Sequence, residues 1–140
     1  MDKYTTLIGR ILMGHIFLLA GINKIGGFEA TQGYMDAMGV PGALLPLVIL
    51  LEIGGGLALI VGWQIRWAAW ALAAFSVIAA AIFHSNFGDQ VQMIMFMKNL
   101  ALSGGLLFIA SFGAGELSID AKLQRGKEER QHSHTPHPSV

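Results

Sequence analysis

The 140 residues are 54% hydrophobic and only 13% charged, with mean hydropathy +0.56 and a formal net charge of zero. That is one domain at most, far from a soluble composition, and without the basic field that nucleic-acid binding requires. The absence of cysteine excludes disulfides, thiolate catalysis, iron–sulfur clusters and cysteine-based zinc sites.

Taken in order, the chain opens with a short polar start containing Lys3, followed by an apolar run over residues 7–22. Gly21-Ile22-Asn23-Lys24 makes a poor cleavage site and further apolar runs follow, so this run reads as an uncleaved first membrane span. Arg10, Gly14, Phe17, Gly21 and Lys24 recur at helical spacing and share one face, which marks the side turned toward a bundle. Residues 26–41 are too polar to span. Phe28, Thr31, Met35 and Met38 line one face of a short helix there, expected to lie along the membrane interface and to end at Gly39-Val40-Pro41-Gly42.

Residues 44–61 form the most apolar run, broken only by Glu52 and then by Gly54, Gly55 and Gly56. At a rise of roughly 1.5 Å per residue, Glu52 lies about 12 Å from the helix end, deep in hydrocarbon. A carboxylate at that depth costs about 2.5–3.5 kcal/mol, so it must be protonated, paired or turned to a wet cavity. The glycines after it let another backbone come close.

A tight hairpin at residues 62–66, with Trp63 and Trp67 at interface depth, leads into a third span over residues 67–83. Arg66, Ala69, Ala73, Ser76, Ala80 and His84 return to one side of it, as a small-residue packing stripe with a cation-forming residue at each end. His84 serves equally as a cavity wall or an interface anchor. The fourth span covers residues 91–112 and carries Lys98 and Asn99 in its first half. Its Gly104 and Gly105 echo the glycines after Glu52, as a duplicated hairpin would.

The expectation is therefore an all-α, integral membrane four-helix bundle over residues 1–120, with a short interfacial helix between spans one and two. A disordered polar tail occupies residues 121–140. Lys3, Arg66, Lys122, Arg125, Lys127 and Arg130 fall on one side and Lys24 alone on the other, which places both termini in the cytoplasm. Depth counting brings Arg10, Glu52 and Lys98 within reach of one centre, with His84, Asn23 and Lys24 at its outer mouth. No metal site is expected. His15 lies off the polar stripe, Met93, Met95 and Met97 scatter around their helix, and His132, His134 and His137 belong to the tail.

The order and spacing of several short motifs resemble the DoxX family of small bacterial membrane proteins. They are Gly9-Arg10-Ile11-Leu12, Ala20-Gly21 with Lys24, Tyr34-Met35, Gly39-Val40-Pro41, Leu51-Glu52, Phe83-His84, Lys98-Asn99-Leu100, Gly113-x-Gly115 and Ser118-Ile119-Asp120. The resemblance implies a four-helix inner-membrane protein. It also implies association with quinol-oxidase and thiosulfate:quinone oxidoreductase complexes and with redox stress.

Three functions fit these features. The first is a quinone-pool-linked subunit whose outward-opening polar pocket (Arg10, Lys24, Glu52, His84, Lys98, Asn99) receives a quinone or small anion. The second is a transporter or channel for protons or small solutes, acting as a homo-oligomer. The third is a structural anchor for a soluble redox enzyme. No haem-ligand pair or dinucleotide-binding glycine motif is present, so a covalently bound or resident redox cofactor is not expected.

Overall fold

In a computed structural model, residues 2–134 are described, and they form helices joined by short turns. Helix α1 (Lys3–Gly26) starts at Asp2, whose carboxylate accepts from the Tyr4 N–H at 2.9 Å, and it ends at the Gly26-Gly27 step. Helix α2 (Phe28–Ala37) is short and leads through a 3-10 turn (Gly42–Leu44) into α3 (Leu45–Val61). Pro46 sits in the first turn of α3, where its missing N–H costs nothing, and Gly62 ends the helix at φ +73°. Helices α4 (Ile65–Phe83), α5 (Gln90–Phe112) and α6 (Ile119–His134) follow.

Four of these helices are long and apolar enough to cross a membrane: α1, the 3-10 turn with α3, α4 and α5. An even number of spans puts the start of α1 and the end of α5 on one face, here the terminal face. Helix α2 and the 84–89 loop lie on the opposite, far face. Large apolar side chains such as Leu47, Leu50, Trp67 and Phe108 point outward, as spans surrounded by lipid require.

The helices meet through small residues, as expected where lipid gives no hydrophobic drive for association. The buried residues of α1 are Arg10, Gly14, Phe17 and Gly21, the stripe seen in the sequence. A Cβ on Gly14 would lie 2.7 Å from the Gly56 carbonyl oxygen, and one on Gly56 would lie 2.8 Å from the Gly14 carbonyl oxygen. Helices α1 and α3 therefore touch backbone to backbone. Gly55 faces Leu72 of α4 and Gly105 faces Met13 of α1, whereas Gly54 and Gly104 meet nothing within 4 Å. The core gathers Phe17, Leu59, Ile65, Ala69, Leu72, Ala73, Leu106 and Ala110 in the terminal-side half of the bundle.

The structure corrects the expected disorder after residue 120, because α6 continues to His134. Its composition is polar, and tertiary anchoring accounts for its start. The Ser118 hydroxyl accepts from the Ala121 N–H at 3.1 Å, and the Asp120 N–H donates to the Gly62 carbonyl at 2.8 Å. The Asp120 carboxylate accepts from Gln64 and Ile65 N–H at 2.8 and 2.9 Å. These bonds also hold Gln64 in a left-handed conformation (φ +47°) that by itself costs about 1–3 kcal/mol. His137 lies outside the described residues.

Gly56→Val is expected to destabilise the detergent-solubilised protein by on the order of 1–3 kcal/mol through overpacking against α1. Gly54→Ala, two residues away on the open side of α3, should be neutral or slightly stabilising. Thermal unfolding of the two variants separates them; equal losses would show that the α1–α3 approach does not limit stability.

Candidate functional site

Near the far face, α1, α2, α3, α4 and α5 enclose a cavity of about 390 Å³. Its position follows from the packing: glycines draw α1 and α3 together, and the far-side half of α4 and α5 stands apart from them. Ile16, Phe17, Val48, Phe75, Ala79 and Leu102 supply an apolar wall. Five of the six candidate pocket residues line it as well: Lys24, Glu52, His84, Lys98 and Asn99. The volume suits a small organic molecule, and a mostly apolar wall with a few polar groups is the usual make-up of such sites.

The buried acid is paired with Lys24. Its Nζ stands 2.7 Å from Glu52 Oε1, with the Glu52 side chain 2% exposed and that of Lys24 30%. No hydroxyl, amide or backbone N–H donates to that oxygen among the described residues, so the ammonium is its sole polar partner. The pairing grows out of the α1 stripe. At Gly21 a Cβ would lie 3.2 Å from Glu52 Cβ, so the acid's stem rests against bare α1 backbone, and Lys24 emerges one turn further on the same face.

Two expectations are corrected here. Glu52 pairs with Lys24 and not with Lys98, because depth counted along helix axes ignores the reach of a lysine that bends inward from the helix end. Arg10 does not enter the cavity at all. Buried at the terminal side, it donates to the carbonyl oxygens of Leu59 (3.5 Å) and Leu117, beside Gly62 and within electrostatic range of Asp120. A Cβ on Gly62 would collide with the guanidinium, so the α3–α4 turn needs glycine there for space as well as for its positive φ. Arg10 locks the α3–α4 turn to the segment leading into α6.

Lys98 lines the cavity from α5 and forms no ion pair among the described residues. With Lys24 and Glu52 neutralising each other, the cavity keeps one uncompensated cation. Asn99 stands beside it, and its carbonyl accepts from Ser103, whose hydroxyl also reaches the Ala73 carbonyl and ties α5 to α4. His84 is half-buried with Nδ1 2.9 Å from Gln92 Oε1, which fixes the ring across the 84–89 loop. His15, by contrast, is exposed on the outer side of α1.

Helix α2 roofs the cavity. Thr31, Tyr34 and Met35 face into it, and Tyr34 stacks on Phe83 with centroids 5.4 Å apart. Gln32 Nε2 donates to the Gly42 carbonyl and Asp36 accepts the Gly42 N–H, so the roof is clasped to the turn preceding α3. Thr31 and Met35 were legible on the inner face of this helix. Tyr34 stood out only within a short family motif and Gln92 gave no signal, since each acts through a partner on another helix.

A thermal-unfolding cycle should show Lys24→Ala and Glu52→Ala to be coupled by about 0.5–3 kcal/mol, and Lys98→Ala to be additive with Glu52→Ala. Coupling to Lys98 in place of Lys24 would overturn the assignment.

The DoxX family model matches residues 5–85, which hold all but the first two residues of α1 and the whole of α2, α3 and α4. Inner membrane protein YqjF of Escherichia coli K12 is 53% identical over 125 residues, covering 89% of this chain and 96% of that protein. Inner membrane protein YphA of the same organism is 32% identical over 123 residues, covering 83% and 88%. The Bacillus subtilis protein named "Putative oxidoreductase CatD" is 27% identical over 130 residues, covering 88% and 90%. No solved structure matches the chain. The chain belongs to the DoxX family.

Proposed function

We propose that the far-face cavity binds the head group of a membrane quinone, and that the protein is a quinone-pool-linked component of the bacterial inner membrane with both termini in the cytoplasm. The observation that carries this reading is Lys98, a cation without a counter-ion in a largely apolar cavity that also holds a buried carboxyl group. An apolar ring fits against Phe75 and Phe83, and Lys98 and Asn99 are donors for a carbonyl oxygen on it. A quinone is a two-electron, two-proton carrier. Glu52 and His84 are the groups here able to exchange protons with it. The name of the Bacillus relative supports a redox association, and the names of the two Escherichia relatives support the inner membrane.

A conduit through a single chain is less well supported. The cavity walls stop at Phe17, Glu52 and Leu102, and the buried core with the Arg10 lock fills the terminal side.

Calorimetric titration of a short-chain ubiquinone analogue into protein in nanodiscs tests the reading. Wild type should bind saturably and competably, and Lys98→Ala and Glu52→Gln should each weaken binding by about tenfold, the worth of one charge-assisted hydrogen bond. Absence of saturable binding, or unchanged binding by Lys98→Ala, would discard the quinone site. Calorimetry is the suitable readout because Trp63, Trp67 and Trp70 all lie outside the cavity.

The orientation rests on the basic residues Lys3, Arg66, Lys122, Arg125, Lys127 and Arg130 gathering at the terminal face. Reporter fusions at Gln64 or after Phe112 should read cytoplasmic and fusions at Gly33 or Gly88 periplasmic. The reverse pattern would turn the cavity mouth to the cytoplasm.

A further inference from the structure

A second cavity, of about 560 Å³, lies at the terminal face between the start of α4, the end of α5 and α6. It is separate from the far-face site and differs from it in chemistry. We propose that it is a binding site for the phosphate head group of an anionic phospholipid.

Three observations converge. The first is charge. Arg66 and Lys127 line the cavity, and neither forms an ion pair among the described residues. The one carboxylate in the wall, Asp120, is occupied by the Gln64 and Ile65 N–H groups and stands near Arg10. Its charge is thus directed into the protein, and the two cations are left for an outside anion.

The second observation is depth. Arg66 is the second residue of α4 and Phe112 the last of α5, so the cavity sits where the spans leave the hydrocarbon. That is the level of a lipid phosphate, and a guanidinium there can hold two phosphate oxygens at once.

The third is the apolar rim. Trp67 and Phe112 border the cavity with 78% and 64% of their surface exposed. Phe108 stacks on Phe112 with centroids 6.2 Å apart and is itself 68% exposed, continuing the aromatic surface one turn toward the membrane centre. A soluble phosphate would use the cations alone. An amphiphile uses both halves, its phosphate between Arg66 and Lys127 and its acyl chains along Trp67, Phe108 and Phe112.

The test is native mass spectrometry of the full chain released from nanodiscs containing equal phosphatidylglycerol and phosphatidylcholine. Wild type should retain one phosphatidylglycerol in preference to phosphatidylcholine, and R66A/K127A should lose that preference by on the order of tenfold. K122A/R125A removes the same charge from α6 outside the cavity and should keep it. Equal losses in the two double variants, or no preference in wild type, would overturn the site. Displacement of the lipid by millimolar inorganic phosphate would identify a soluble-phosphate site and overturn the lipid assignment.

A second measurement needs neither cation changed. In a W63F/W70F background, brominated phosphatidylglycerol should quench Trp67 more than brominated phosphatidylcholine at equal mole fraction. Equal quenching would count against the proposal.

Discussion

A carboxylate held at hydrocarbon depth needs a cation, and the Lys24–Glu52 pair meets that need in a way that shapes the bundle around it. For Lys24 to reach Glu52, α1 and α3 must run in near contact, which the Gly14–Gly56 and Gly21–Glu52 approaches permit. With those two helices drawn together, the wider spacing falls between them and the α4–α5 pair on the far side. The cavity is the space left when two helices are held too close for side chains to fill the remainder.

The bundle is accordingly asymmetric along the membrane normal. Its terminal-side half is filled by Leu59, Leu72, Leu106 and neighbouring alanines, and sealed by Arg10 against Leu59 and Leu117. Its far-side half holds the cavity, an uncompensated lysine and a roof made of a short helix. Two cationic side chains on one stripe of α1, one buried and one half-buried, thus do opposite things. Arg10 closes one end with backbone carbonyls as partners, and Lys24 equips the other with a charge pair.

Much of this was written in periodicity. The stripe from Arg10 to Lys24 on α1 and the small-residue stripe from Ala69 to Ala80 on α4 are the buried faces of those helices, because a span in lipid can hide only what its neighbours cover. Glu52, Lys98, Asn99, His84 and Lys24 were legible as cavity residues for the same reason. Which cation pairs with Glu52 was not, since a lysine stem reaches across more than a helical turn and only the tertiary approach at Gly21 selects it. The anchoring of α6 was also illegible. Asp120 lies amid a polar sequence, and what it holds, the N–H groups of Gln64 and Ile65, is more than fifty residues away.

The clasp between α2 and Gly42 has a mechanical meaning. Both backbone polar groups of Gly42 are taken by Gln32 and Asp36, and a Cβ there would come within 3.1 Å of the Asp36 carboxylate, so the roof and the threshold of α3 form one stiff piece. Across the cavity, the same roof rests on α4 through a stacked ring and a single 3.4 Å bond from the Tyr34 hydroxyl to the Phe83 carbonyl. The roof is thus tied by two side-chain bonds on its α3 side and by one bond and a ring stack on its α4 side, so its attachment is unequal across the cavity and weaker at Tyr34.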